Sequence, residues 1–351
     1  MIHRRVTIRD IAKETGMHFT TVSMALRNSP RLKAETREKI QALAREMGYI
    51  PDPMLAALNA YRQTKAQPHY QATIAWINNW PDRHHMLSIP EFREYYDGAT
   101  ERAKERGYIL EEFWLKERGM TPKIASQIFR ARNIQGVLIA PQPQTQELLP
   151  FAYDEISAVA MGYSMQPAVL HLITNHHYHT MDMMLTRLHE LGYRRIGMGI
   201  DDTWDKKVEN AWQGGGLLWN WRHGNQLSLH KCPEPLAGEE LVKWLRQEKL
   251  EAIIATEHFL QKLGSAKLNF PEDMGYLNIA LKRNETHSSG VYQNDWMIGM
   301  RAIDLIIDMI HRGERGIPSV PVRTLVESTW YPGETLRQQV VGIPVKAMAK
   351  A

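Results

Sequence analysis

The sequence predicts a small all-helical unit followed by a large α/β core with mainly parallel sheets. Three observations carry this. Apolar residues between positions 8 and 47 recur at helical spacing and are interrupted by Gly16 and Gly48. From residue 72 onward, short apolar runs alternate with amphipathic stretches. Positive charge gathers at one end: residues 1–65 hold 12 of the 43 Lys and Arg but 6 of the 39 Asp and Glu, which leaves 31 basic and 33 acidic residues for the rest. All ten tryptophans lie beyond residue 65. Two regions of such different composition have different tasks.

In the first region, Thr7 is placed to cap a helix whose first turn holds Asp10. Ile8, Ile11 and Ala12 form its apolar face, and Gly16 permits the turn that follows. A second helix is expected from about His18 to Leu26, with Val22, Ala25 and Leu26 inward. That leaves His18, Phe19, Thr20, Thr21, Ser23, Met24 and Arg27 facing outward. A third helix over about 34–47 turns Ile40, Leu43, Ala44 and Met47 inward, and Gly48 stops it. Lys33 is a poor cap for its start. A basic, compact helical unit of this kind can set one helix in the DNA major groove, and concentrated positive charge suits phosphates. Without that role it would be an ordinary three-helix bundle.

Residues 51–58 begin like a helix, with Asp52 as cap and Pro53 in the first turn. About eight residues are too few for a stable isolated helix. DNA and a second subunit would supply the missing stabilisation, or the segment is a linker with one helical turn. Residues 63–68 are polar and unpatterned, and read as the link to the core.

In the core, strands are expected at 72–77, 108–114, 136–140, 156–161, 169–173, 195–200, 227–230 and 252–256. Helices are expected at 91–106, 122–132, 176–191, 205–222, 239–248 and 295–312. The junctions Glu105-Arg-Gly-Tyr108 and Glu190-Leu-Gly-Tyr193 resemble each other and mark matching points in two similar halves. Two sheets with a cleft between them follow, and ligands bind at the carboxyl ends of such strands.

The N-terminus has no apolar run after its charges, no segment approaches a membrane span, and the single Cys232 excludes an internal disulfide. A cytoplasmic protein without membrane contact is expected. His176-His177-Tyr178-His179 has no nearby cysteine and no evident carboxylate partner, so it reads as a polar cap or dimer surface, with no metal expected. Gly214-Gly215-Gly216 follows no strand and precedes no Lys-Ser/Thr, so it reads as a helix-packing or bend feature. No nucleophile–base arrangement stands out, and neither an enzyme nor a cofactor is expected.

Val6 through Arg27, with Thr36-Arg37 and Tyr49-Ile-Pro51, closely resembles the headpiece of the LacI/GalR transcriptional regulators. Leu191 through Ile196, Gln293-Asn294 with Gly299, and Thr324 through Thr329 with Gly333 through Thr335 extend the resemblance to that family's effector-binding core, itself like sugar-binding transport proteins. The resemblance implies a helix-turn-helix headpiece at 1–50, a hinge helix and linker at 51–70, and a periplasmic-binding-protein-like effector and dimerisation core at 71–351. The core would divide into 71–173 with 293–323 and 174–292 with 324–340.

Carried over by position, Phe19, Thr20 and Met24 would read bases, while Thr7, Thr21, Ser23 and Arg31 would contact phosphates. His18 stands for the usual serine and Arg27 for asparagine; both still donate to phosphate. Tyr49 joins this set, Leu58 takes the minor-groove wedge position, and Leu55 replaces the usual alanine beside it. For the effector, Asn79 and Trp80 follow the first strand, Thr256-Glu257-His258 stand where the family has an Asn-Asp pair and the next residue, and Asn294 stands where a ligand hydroxyl is commonly bound. The family's ligand-binding arginine has no clear match, and Lys206, Lys207 or Asn210 would substitute. Trp80, Trp204, Trp212 and Trp296 are candidates to stack on a sugar, although core packing is the commoner role for any one tryptophan. The expected function is a homodimeric, sequence-specific repressor of pseudo-palindromic operator DNA, controlled allosterically by a small molecule, a carbohydrate foremost. The alternatives are a cytosolic solute-binding protein or an α/β enzyme with an incidental helical extension.

Overall fold

The structure is a computed structural model and describes residues 6–26, 29, 32–49, 72–233, 236–264, 266 and 268–339. Three helices come first: α1 (Ile8–Thr15), α2 (Phe19–Leu26) and α3 (Ala34–Glu46). They enclose a five-residue core of Ile11, Val22, Ala25, Ile40 and Ala44. Leu43, expected inward, is only half-buried. The expected hinge helix, with Leu55 and Leu58, lies outside the described residues, as do Arg27 and Arg31.

Two six-stranded sheets make up the rest. The first runs β11-β5-β4-β3-β1-β2 and is parallel throughout: β1 (Ala72–Asn78), β2 (Tyr108–Trp114), β3 (Gly136–Ile139), β4 (Ser157–Met161), β5 (His171–Asn175) and β11 (Arg323–Val326). The second runs β12-β10-β9-β8-β6-β7: β6 (Arg195–Gly199), β7 (Ser228–Lys231), β8 (Ala252–Ala255), β9 (Gly275–Asn278), β10 (Gly290–Tyr292) and β12 (Thr329–Tyr331). Only β12 is antiparallel to its neighbour. Ile74 through Ile77 in β1 are fully buried, as expected of a strand covered on both faces.

The chain passes between the sheets three times: after Asn175, before Asp295, and between Val326 and Thr329. The third passage corrects the expected division. Thr324-Leu325-Val326 pair with Ile173-Thr174-Asn175 in the first sheet, so the change of sheet comes after Val326. The expected helix at 205–222 is two helices, α8 (Asp202–Lys207) and α9 (Ala211–Arg222). Glu209 and Asn210 between them have φ of 58° each, and the Asp205 carboxylate accepts from Trp212 N at 3.0 Å and Gln213 N at 3.2 Å, starting α9 from the side. Gly215 and Gly216 let α9 close on Met181 and Leu229, where an added Cβ would lie 3.0 Å from each, while Gly214 faces open space.

The remaining helices are α4 (His85–Ser88), α5 (Pro90–Glu105), α6 (Pro122–Arg132), α7 (His177–Glu190), α10 (Gly238–Gln247), α11 (Glu257–Gln261) and α12 (Asp295–Arg312). Helix α12 buries Ile298, Ala302, Ile303 and Ile306 in the same cluster as Tyr95, Ala99 and Ala103 of α5. Backbone touches backbone here: a Cβ on Gly98 would sit 2.1 Å from Trp296 O, and one on Gly299 2.0 Å from Tyr95 O.

We expect Gly98→Ala and Gly299→Ala each to cost at least about 1–3 kcal/mol, because neither backbone has room to yield. Gly214→Ala should be neutral or stabilise by up to about 1 kcal/mol, as alanine favours a helix interior. Thermal unfolding of the three variants tests this; equal melting temperatures would remove the close-packing argument.

Candidate nucleic-acid interface and effector cleft

In the headpiece, Thr7 and Asp10 cap α1 reciprocally. Thr7 N donates to Asp10 Oδ2 at 2.8 Å, and Asp10 N to Thr7 Oγ1 at 3.3 Å. The Thr7 hydroxyl, exposed to solvent, donates to Asp10 Oδ2 at 2.6 Å. Gly16 then turns the chain at φ +64°. His18 begins the next helix: its carbonyl accepts from Thr21 N and Val22 N, and its Nδ1 lies 2.8 Å from Thr20 Oγ1. The far end of α2 is held by α3, where Gln41 Nε2 donates to Ala25 O at 2.8 Å.

Held at both ends, α2 shows Phe19 and Thr20 to solvent, with Thr21, Ser23 and Met24 half-exposed beside them. Phe19 is 51% exposed, with its ring 4.6 Å from that of His18. Phe19 thus stands on the outward face of α2, away from the headpiece core. Tyr49 is half-buried against the headpiece core, and its N–H returns to Ala44 O. No side chain caps α3 at Lys33, as expected.

The cleft lies between the carboxyl ends of both sheets. Its centre is a buried polar knot. Tyr95 OH donates to Asn175 Oδ1 at 2.7 Å, while Asn175 Nδ2 donates to Gln293 O at 3.0 Å and Asp295 Oδ1 at 3.1 Å. Asp295 is 3% exposed and lines the cleft with Glu91, Tyr163, His177, Trp204 and Trp212, among others. Burial first, then the nearby Glu91 carboxyl, push the Asp295 carboxyl well above the usual range. Burial raises Glu91 as well. His177 is buried edge-on to the Trp212 ring at 4.8 Å, and its Nδ1 has no partner. Burial and the neighbouring His176 lower its pKa to about 3, so its ring is neutral. Burial also lowers the Lys207 ammonium, which lines the cleft with its Nζ 5.9 Å from the centre of the Trp80 ring.

Of the expected effector residues, Lys207 therefore lines this cleft. Trp80 is buried beside it with Nε1 on Pro141 O at 2.8 Å, and Asn79 donates to Gln146 Oε1 at 3.2 Å. Asn210 lines a shallower depression with Lys206, Glu209 and Arg323. Thr256 caps α11 through Phe259 N, Glu257 pairs with Lys282 at 2.6 Å, and His258 is exposed. Asn294 turns away, donating to Glu327 O at 2.7 Å and Thr329 Oγ1 at 3.0 Å. Trp296 lies under the Arg283 guanidinium at 4.4 Å. Its neighbour Asp295 lines the cleft, while Asn294 adopts the left-handed conformation at φ +58° as the cap of α12. A buried acid in the first turn of the long apolar helix was the available signal. Glu91, Tyr95, Asn175 and His177 carried none.

The two halves also meet at the mouth of the cleft. Glu94 of α5 accepts from Arg283 N at 3.0 Å and from Tyr292 OH, both in the second half.

The profile of bacterial regulatory proteins of the lacI family matches residues 7–52. The maltose regulon regulatory protein MalI of Vibrio furnissii is 40% identical over 110 residues, covering 31% of this chain and 70% of that protein. The chain belongs to the LacI family of bacterial regulatory proteins. Likeness to another transcriptional regulator runs nearly end to end: the transcriptional repressor PurR of Haemophilus influenzae is 23% identical over 333 residues, covering 89% of this chain and 93% of that one. The solved lac repressor dimer, bound to operator and the anti-inducer ONPF, has the same fold, with a TM-score of 0.55 at 15% identity over 95% of this chain and all of that one. The LacI-family headpiece and the two-sheet core thus stand in one chain. No helix among the described residues is long and apolar enough to cross a membrane.

The raised affinity of Asp295 for its proton yields a signed expectation. Such a carboxyl costs nothing below its unfolded range, about pH 4, and costs progressively more as pH rises through the folded range. We therefore expect Asp295→Asn to raise the melting temperature of the ligand-free protein at pH 8, and that gain to shrink toward zero below about pH 4. Melting curves across pH check this; a gain independent of pH would mean that the Asp295 charge is not the cause.

Proposed function

We propose that the chain is a homodimeric, sequence-specific transcriptional repressor that binds pseudo-palindromic operator DNA in the cytoplasm, and that a small carbohydrate in the core cleft controls its DNA affinity. The observation that carries this is the presentation of α2. The helix is pinned by α3 and turned outward on a basic headpiece that matches the LacI-family profile. In this reading Phe19, Thr20 and Met24 face base edges. Thr7, His18, Thr21, Ser23, Arg27 and Arg31 face phosphates, and Tyr49 supports the headpiece from within. Leu55 and Leu58 act from the hinge, a role resting on the family resemblance. The solved lac repressor is a dimer on its operator, and MalI regulates a maltose regulon. Both named proteins fit this reading.

The cleft supports a polyol ligand. Hydroxyl groups can donate to Asp295 and Glu91, accept from Lys207, and leave one sugar face against Trp204 or Trp212. A closing cleft would reposition the two core halves about the three connecting segments, and the ligand shifts that balance by its differential affinity for the two arrangements. We read the chain as a regulator with no catalytic task, as its named relatives are.

Binding to a palindromic site upstream of its own gene should weaken linearly in log–log terms as salt rises, since phosphate contacts release counterions. Phe19→Ala should cost about 1–3 kcal/mol of specific binding, with little change in headpiece melting. Fluorescence anisotropy against specific and random duplexes measures both. A salt-independent response, or equal affinity for random DNA, would sink the regulator reading.

A further inference from the structure

The histidines at the start of α7 are left unused by the regulator reading. Sequence alone gives them no acidic partner; the fold does. Glu327 stands in the third connecting segment, between β11 and β12, and the ligating atoms of His176, His179 and Glu327 all lie within 4.8 Å of one another. His179 Nδ1 is 3.0 Å from Glu327 Oε1. The His176 and His179 rings stack 3.7 Å apart at 7°. We propose that His176, His179 and Glu327 form a binding site for one divalent transition-metal ion of the zinc type, placed across the hinge between the two core halves.

The donor set is two imidazole nitrogens and one carboxylate oxygen, which zinc accepts with a fourth position left to water. Among the described residues no Lys or Arg pairs with Glu327, whose only ion pair is with His179. His176 Nδ1 also accepts from His179 N at 3.4 Å, a long cap bond that an ion would replace, or avoid by taking Nε2. Zinc bonds of roughly 2.0–2.2 Å need donors closer together than 4.8 Å. Side-chain rotation can bring them in, because the His179 and Glu327 side chains are 53% and 61% exposed. The backbone beneath is already fixed. His176 N donates to Val326 O at 2.9 Å, Thr180 Oγ1 lies 3.0 Å from His176 O and 2.7 Å from Ser328 Oγ, and Asn294 holds the Glu327 carbonyl. Those bonds draw on all three segments that join the halves. An ion here would stiffen the segments whose bending opens the cleft.

The test uses untagged full-length protein titrated with zinc by calorimetry and with cobalt by visible absorption. One ion per chain is expected, with a rise in melting temperature that follows zinc concentration. His179→Gln and Glu327→Gln should each weaken zinc binding by at least about tenfold, while circular dichroism and metal-free operator binding stay as in the parent. His287→Gln, which removes a histidine paired with Glu334 at 3.2 Å but far along the chain from the hinge motif, should change nothing. Absence of zinc and cobalt binding overturns the site. So does binding that survives both hinge variants, or that His287→Gln abolishes.

Discussion

Everything in the core turns on the Asn175 side chain. It is the last residue of β5 before the chain leaves the first sheet, and its amide is fully engaged. It accepts from Tyr95 on α5 and donates to the Gln293 carbonyl and to Asp295, on either side of the second connecting segment. Only an amide offers an acceptor and two donors at this length. A carboxylate would face Asp295 with like charge, and leucine would orphan three buried polar groups at about 1–3 kcal/mol each. Asn175 therefore fixes where two of the three connecting segments sit, and with them the floor of the cleft.

That floor creates an electrostatic imbalance. Asp295 and Glu91 share a buried space in which the amide of Asn175 donates to Asp295, and burial raises both carboxyls, with Glu91 adding to the rise at Asp295. Lys207 lines the same cleft, where burial lowers its ammonium and its Nζ lies 3.4 Å from Pro143 O. Burial thus disfavours the charged form of the acids and of the lysine alike. A ligand bearing several hydroxyls can address both ends at once, because each hydroxyl donates and accepts. The unpartnered His177 Nδ1 adds a third polar demand on the same space. Such a cleft gains more from a polar ligand than from closing empty, which a switch requires.

Much of this was legible in the sequence. Helical spacing and the Thr7–Asp10 pair gave the headpiece, since local hydrogen bonds decide those elements. Alternating apolar runs gave most parallel strands, and the repeated Glu-x-Gly-Tyr junctions marked two comparable halves. The short strands β9 to β12 were not legible: pairing with their neighbours decides them, not a pattern of their own. The break at Glu209-Asn210 depends on Asp205 capping α9 from the preceding helix, which spacing does not show. The cleft was the least legible part. Its acids and histidine come from α5, the end of β5 and the start of α12, brought together by chain crossings rather than by any motif. Asp295, next in sequence to the expected Asn294, is the residue that lines the cleft.

The headpiece constrains how the cleft can act on DNA. Its core of Ile11, Val22, Ala25, Ile40 and Ala44 draws its supporting apolar residues from positions 6 to 49 alone. Its helix caps and the Gln41 bond to Ala25 are likewise internal. Nothing in that set changes when the sheets move, so a ligand in the cleft has no lever on whether the headpiece folds. It can act on where the headpiece is held and on how easily two copies reach adjacent half-sites. The segment between Tyr49 and Ala72 joins the two units along the chain, and the charge of Arg37 in the headpiece also acts on the Arg315 guanidinium of the core. The size of the response is bounded by how differently the ligand binds the two core arrangements, not by how tightly it binds either.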